Sequence, residues 1–409
     1  MFISMKSLKG SMLFILVMMF LIQACKKDDD NIVPAEPVTH TRAEIEGIEL
    51  IDNYDIGEIG QILSTSGSDF PFDLVYEVDA YSVKYYTQDH QGNIILVSGG
   101  LYVPRTKSIV PLLSIQHGTE TKRDRVASVS PKNSVEGMVG LMTASMGYLT
   151  LVPDYPGFGV SNGIHPYLHA ASNIPCVIDL IFASKDICKE NDWAISDELF
   201  LFGYSEGGFI SLLAQKEIEG SYHEKLDITA VAPMSGPYDL LGMFELIFEG
   251  GSFGTPAYVA YFLTAYNDIY QWDCLNEFFR APYAEKMPGL FNGTKTWGEI
   301  VNALPSDLWD LMHEDFVANF YSLKQSMLLN AINANTMLDW TPEGPVHFFH
   351  GDCDDIVDCM NATHALNAFL NNGATDVQLT MIPGGNHETT GPRAIEVALK
   401  WFETFGAIY

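Results

Sequence analysis

The sequence predicts an α/β protein with a mostly parallel central sheet, helices on both faces and a large helical cap inserted before the strand that carries an acidic loop. Three features of its 409 residues predict this. Short apolar runs alternate with amphipathic segments from Ile109 to Pro233, the pattern of a parallel sheet covered on both sides. The alternation stops at Ser235-Gly236-Pro237 and resumes at Pro345, and on the order of a hundred residues between them are too many for a structureless loop, so they fold as an insert. An apolar content of 47% excludes disorder as the overall state, and the length exceeds what one compact core usually holds.

At the N-terminus, Lys6 and Lys9 precede an apolar run, Met12 to Ile22, of about 11 residues, which suits a secretory signal and is too short to span a membrane. Leu21-Ile22-Gln23-Ala24-Cys25 resembles a bacterial lipobox, with Gln23 bulkier than usual there. The resemblance implies a lipoprotein signal peptide over 1–24, lipidation of Cys25 and an outer-membrane or cell-surface location. An ordinary cleaved signal with a soluble product is the alternative. Residues 25–45, with Lys26-Lys27-Asp28-Asp29-Asp30, Pro34 and Pro37, read as a flexible tether.

The core is expected over 46–236 and 345–409, with the cap over 237–344. Val78–Tyr86 and Ile94–Tyr102, joined by Gln88-Asp89-His90-Gln91-Gly92-Asn93, predict an antiparallel hairpin. Strands follow at Ile109–Ile115, Tyr148–Val152, Leu199–Phe202, Ile228–Pro233, Val346–Phe349 and Val377–Ile382. Helices are expected at Val135–Met146, Ala170–Cys188, Phe209–Ile218, Cys359–Leu370 and Pro392–Phe405, with Pro175 tolerable in a first turn. In the insert, Met243–Phe248, Ala257–Tyr266, Trp297–Leu304 and Asp315–Met327 are compatible with helices. The aromatics Phe248, Phe253, Tyr258, Tyr261, Phe262, Tyr266, Phe278 and Phe279 read mostly as the cap's own core.

The chemistry centres on Leu199-Phe200-Leu201-Phe202-Gly203-Tyr204-Ser205-Glu206-Gly207-Gly208, a strand running through a Gly-x-Ser-x-Gly turn into a helix. Gly203 and Gly207 are required because side chains there would collide with the neighbouring strand and helix while Ser205 holds strained dihedrals. Ser205 then stands at a positive helix end, which favours an oxyanion beside it. A serine hydroxyl needs a base, and the base needs a group that fixes its tautomer. Both belong on loops after later strands. His387 follows Val377–Ile382, and Asp352, Asp354, Asp355 and Asp358 crowd the loop after Val346–Phe349, where spacing alone does not choose among them.

Across nearly its whole mature length the chain resembles the α/β-hydrolase superfamily. The acid loop there is often Gly-x-x-Asp-x-x-Val, matched at Gly351, Asp354 and Val357, so the resemblance implies Asp354, with Asp355 and Asp352 as fallbacks. It also implies an oxyanion hole from the backbone N–H groups of Thr119, in Gln116-His117-Gly118-Thr119, and of Glu206, whose side chain is expected to point away. Asp154-Tyr155-Pro156-Gly157-Phe158-Gly159-Val160-Ser161 matches the loop after the fourth strand that shapes the pocket rim. With the helical insert, these stretches are most similar to the secretory lipase family, departing at Glu206. The likeness implies hydrolysis of carboxylic esters, of a small molecule or a lipid, with the acyl chain under the cap.

A net charge of -30 argues against nucleic acid and against anionic lipid surfaces as electrostatic partners. No phosphate loop or basic patch is present, and no cofactor is expected. His165 and His169 are four apart, but Pro166 argues for a loop and nothing completes a metal site, so they are expected at the pocket or the surface. After Cys25, Cys176, Cys188, Cys274, Cys353 and Cys359 form an odd set. Cys176 and Cys188 fall about 18 Å apart along one helix, while Cys353 and Cys359 are open to either a small disulfide loop or free thiols. Asn292-Gly293-Thr294 and Asn361-Ala362-Thr363 are glycosylation sequons only in form if the source is bacterial. Two other functions stay open: a serine peptidase, should Glu245, Glu249, Asp268, Asp273 or Glu277 bind a substrate ammonium, and a non-catalytic binding protein on the same fold.

Overall fold

A computed structural model describes residues 39–65, 67, 71–250, 254–319, 327–336 and 338–406. The expected signal peptide, Cys25, the tether up to residue 38 and Phe253 lie outside them. The core strands are β1 (Ile45–Tyr54), β2 (Val78–Gln88), β3 (Ile94–Pro104), β4 (Val110–Gln116), β5 (Leu149–Pro153), β6 (Ile195–Tyr204), β7 (Ala230–Met234), β8 (Val346–Gly351) and β9 (Val377–Ile382). They form one sheet in the order β1-β2-β3-β5-β4-β6-β7-β8-β9. The pairings made by β1, β2 and β3 are antiparallel and the others parallel, which is the mostly parallel sheet expected.

Helices α1 (Ile56–Thr65), α2 (Val135–Met146), α3 (Ala170–Glu190) and α4 (Glu206–Glu217) belong to the first part of the core. The insert holds α5 (Leu240–Phe248), α6 (Pro256–Ile269), α7 (Leu275–Phe278), α8 (Tyr283–Leu290), α9 (Trp297–Ala303), α10 (Leu308–Leu311), α11 (Glu314–Asn319) and α12 (Met327–Asn335); α13 (Met360–Asn371) and α14 (His387–Glu403) complete the chain. Successive residues of β6 go to opposite faces: Leu199 and Leu201 pack with α3 and α4, whereas Phe200 and Phe202 pack with α2 and α14. A continuous apolar run is therefore one strand buried twice.

Several expectations need correction. Residues 40–44, assigned to the tether, are tied to the core: Arg42 Nε donates to both oxygens of buried Asp179 at 3.2 and 3.0 Å, and Thr87 Oγ1 donates to Asp179 Oδ2 at 2.6 Å. Elements not anticipated are β1 and α1 in the core and α7, α8, α10 and α12 in the insert. Pro175 lies inside α3, beyond its first turn. Helix α14 begins at His387 rather than Pro392, because Asn386 and Thr389 cap each other's backbone there and the helix then accommodates Pro392. Of the helix expected from Asp315 to Met327, α11 covers the first part, and residues 320–326 lie outside the described set. The five cysteines after Cys25 are free thiols, Cys353 and Cys359 included. Tyr261, Phe262, Tyr266, Phe278 and Phe279 are buried, the core role expected of cap aromatics. Among the described residues no helix is long and apolar enough to cross a membrane.

Candidate active site

Strand β6 delivers Ser205 at the C-terminal edge of the sheet, between β4 and β7, where Gly203 is in register with Gln116 and Pro233. Ser205 has φ 56° and ψ -118°, a left-handed backbone that a non-glycine residue adopts only at a cost. Its N–H donates to Met234 O at 2.9 Å, which fixes the turn. A Cβ at Gly203 would overlap the Gly207 carbonyl, and one at Gly207 the Gln116 carbonyl, so both positions need glycine for close approach. Helix α4 starts at the next residue and turns its positive end toward the serine.

The side chains of Ser205, His387 and Asp354, far apart in sequence, meet here. His387 Nε2 lies 3.0 Å from Ser205 Oγ, and its Nδ1 lies 3.0 and 2.8 Å from Asp354 Oδ1 and Oδ2. His387 heads α14 instead of sitting in a loop, so the helix cap fixes its backbone. Two further bonds hold it: its N–H donates to Asp355 Oδ1 at 3.2 Å, and the Tyr204 hydroxyl donates to its carbonyl.

The Asp354 side chain is buried. Its Oδ1 accepts from the N–H groups of Ile356 and Val357, each at 3.0 Å, and its Oδ2 lies 3.3 Å from His350 Nε2. Burial works against its ionisation, but the bonds from His350 and His387 outweigh that and hold its pKa well below the usual carboxylate range. Its neighbours serve the backbone: Asp352 Oδ1 accepts from Gly384 N at 2.7 Å, and Asp358 Oδ1 accepts from Met360 N at 2.8 Å. Tyr204 and His350 are contributors that sequence reasoning missed; adjacency to Ser205 and to Gly351 was the only signal they carried.

The loop at 117–119 runs beside the serine, since a Cβ on Gly118 would stand 3.9 Å from Ser205 Cβ. Gly118 N–H donates to Glu136 Oε1 at 2.8 Å, and Thr119 Oγ1 bonds the Tyr167 hydroxyl at 2.9 Å. Both ring nitrogens of buried His117 meet carbonyls, Gly118 O at 2.8 Å and Asp154 O at 2.9 Å. Burial opposes a charge on this ring, yet Glu136, Glu206 and the two carbonyls prevail and raise its pKa.

Glu206 turns its side chain into the interior, where Oε1 meets His165 Nε2 at 2.7 Å. His165 and His169, expected at the pocket or the surface, are both buried inside the protein at 1% and 4% exposure. His165 belongs to Glu206, and His169 bonds Ser172 Oγ at 2.8 Å and the Tyr270 hydroxyl at 3.1 Å. Among the described residues no group of three or more His, Cys, Asp or Glu side chains could hold a metal ion.

A narrow pocket opens at Ser205 between α5, α6 and the acid loop, walled by Met243, Phe244, Ile247, Tyr258, Val259, Phe262, Ile356 and Val357 with Tyr167 and Leu168. Its free volume is about 30 Å³, room for about two water molecules. No charged side chain lines it, and Glu245, Glu249, Asp268, Asp273 and Glu277 are all exposed elsewhere. A larger cavity of about 490 Å³ beside Trp272, Phe278 and Phe316 lies within the cap and does not include Ser205, so the small pocket is the one that matters for chemistry at the serine.

Residues 134–405 match the family model described as secretory lipase. No curated protein matches the sequence. Among solved structures, the rice cell wall degrading esterase LipA from Xanthomonas oryzae, in a ligand-bound form, is 26% identical with a TM-score of 0.81, over 88% of this chain and 98% of that one. A candidate hydrolase from Legionella pneumophila is 27% identical with a TM-score of 0.81, over 88% and 98%. Candida antarctica lipase A in its closed state shares the fold at 14% identity and a TM-score of 0.69, over 90% and 84%.

Proposed function

The chain belongs to the secretory lipase family of α/β-hydrolases, a carboxylic ester hydrolase, and from that premise we propose that it is a secreted, lipid-anchored serine esterase or lipase working through an acyl-enzyme on Ser205. The observation that carries the reading is the continuous hydrogen-bonded line from Asp354 through His387 to Ser205 Oγ, ending at an apolar pocket.

His387 Nε2 takes the hydroxyl proton as Ser205 Oγ attacks the ester carbonyl, and Asp354 holds the Nδ1–H tautomer and offsets the imidazolium that forms. The tetrahedral oxyanion sits against two backbone N–H groups. One is that of Glu206, the first residue of α4, whose N–H has no place in the intrahelical ladder. The other is that of Thr119, since the preceding amide is committed to Glu136. His387 then protonates the departing alcohol, and water attacks the acyl-enzyme by the same route in reverse. The acyl group occupies the pocket beneath α5 and α6. No cofactor enters the scheme.

A pocket without a charged wall suits an acyl chain and leaves a substrate ammonium unpaired, which favours the ester over the peptide. The test is a chain-length series of p-nitrophenyl esters beside aminoacyl-nitroanilides, on wild type and Ser205→Ala. Ester turnover that disappears with the serine is expected, together with covalent fluorophosphonate labelling that disappears with it. Faster anilide cleavage would move the assignment to a peptidase, and an unlabelled wild type to a binding protein. For the anchor, Cys25→Ala is expected to abolish incorporation of labelled palmitate and to release the protein from membranes.

A further inference from the structure

We infer that the Glu206 carboxylate, paired with His165, is a positioning group that fixes the two oxyanion amides to one shared loop. The inference rests on the reading of Ser205 as nucleophile and of the Thr119 and Glu206 N–H groups as oxyanion donors.

The two donors come from different strands. Thr119 follows β4, and Glu206 follows β6. Parallel pairing of β4 and β6 ends at Gln116 and Gly203, so the ladder leaves the spacing of the amides beyond it undetermined. Four ties made to one loop, 154–168 between β5 and α3, set that spacing. Glu206 Oε1 bonds His165 Nε2 at 2.7 Å and accepts from Leu168 N–H at 3.4 Å, which holds the start of α4. His117 Nε2 meets Asp154 O at 2.9 Å, and the Tyr167 hydroxyl meets Thr119 Oγ1 at 2.9 Å, which hold the other donor.

The anchor is itself held on every side. His165 Nδ1 lies 3.0 Å from Pro156 O, so both ring nitrogens are engaged, and the ring packs on Phe158 at 4.7 Å and Tyr155 at 5.7 Å. Glu206 is 0% exposed and His165 1%. A polar pair so deep offers little net stability over apolar side chains of the same size, and its use lies in the geometry it specifies. The same loop carries Tyr167 and Leu168, which wall the pocket. An acyl group seated there therefore bears on the loop that spaces the oxyanion donors.

The test compares wild type, Glu206→Gln, the apolar pair Glu206→Met with His165→Phe, and Ser205→Ala. The apolar pair keeps volume and removes both polar partners together, so it is expected to retain the fold. Turnover is expressed per site titrated by fluorophosphonate, and an alkyl trifluoromethyl ketone, whose serine adduct carries the oxyanion, supplies Ki. The apolar pair is expected to lose about 10- to 100-fold in kcat with KM within about twofold, and Ki is expected to weaken by the factor lost from kcat/KM. Glu206→Gln, whose side-chain amide still hydrogen-bonds His165 Nε2, is expected to recover most of that loss. An apolar pair with wild-type kcat per site and unchanged Ki overturns the inference, as does a loss confined to the titratable fraction and the melting temperature. Retained turnover in Ser205→Ala overturns the underlying nucleophile assignment instead.

Discussion

Four aspartates share the acid loop, and burial separates them more clearly than spacing does. Asp354 is the one withdrawn from solvent, with both oxygens turned to His387 and its remaining lone pairs met by two amides and His350, whereas Asp352 and Asp358 accept from nearby backbone. Asp354→Asn removes the acceptor that selects the Nδ1–H tautomer. It is expected to lower kcat by about 10⁴-fold with little change in KM. Asp352→Asn and Asp358→Asn are expected to stay near wild type, and steady-state kinetics beside circular dichroism checks all three. At this scale Ser205, His387 and the Gly351-x-x-Asp354 pattern were legible because each follows a readable strand. What was illegible is the set of bonds that support those side chains from elsewhere in the fold. Glu206 stood out only as a carboxylate in an awkward place, and its partner His165 lies 41 positions away on a segment that spacing first offered as half of a metal site.

Among elements, the turn from β6 into α4 is the most constrained by its sequence and was the easiest to read, because two glycines and an apolar strand leave one geometry. The edge strand β1 was hard to read for the opposite reason. It exposes Ile48 and Leu50 and carries Glu46, Glu49 and Asp52, so no alternation of buried and solvent faces marks it. The start of α14 was hidden because Pro392 looks like a first-turn residue, and the reciprocal cap of Asn386 and Thr389 overrides it. In the cap, α5 and α6 close over Ser205 and leave about 30 Å³, so an acyl chain of more than a few carbons requires one of these helices to yield. Met243 is the pocket residue of α5 that is only partly buried, so trimming it costs less packing than trimming Phe244 or Ile247. Met243→Ala is expected to shift the best p-nitrophenyl ester upward by about two to three carbons, with little change in melting temperature. An unchanged chain-length profile would place the acyl group elsewhere.

At the scale of the whole molecule, the two-faced sheet and the helical insert before β8 were legible from alternation alone, while its response to pH depends on which histidines the packing happens to bury. His169, between α3 and α6, has its pKa lowered to about 4, chiefly by burial and secondarily by His90, whose ring lies 5.7 Å away. His347 on β8 is likewise lowered to about 4 by burial, against a small opposing pull from Asp376. An unfolded chain protonates such histidines near 6.5, whereas the folded one resists until about 4, so between those values the unfolded state binds more protons. Stability from these two side chains is therefore present above about pH 6.5 and is lost as the pH falls toward 4. Buried Asp154 and Glu136, whose pKa values burial raises, respond with the opposite sign, so the overall curve mixes both and a difference between variants isolates one. In His169→Gln the amide replaces a ring that bonds Ser172 and Tyr270 and carries no titration. The melting temperature of the variant is expected to lie below that of wild type at pH 7 and to converge on it as the pH approaches 4, since only wild type then loses the contribution of a neutral buried base. Parallel curves across that range would mean that His169 titrates alike in the folded and unfolded chain, and burial between α3 and α6 would then exact no electrostatic cost.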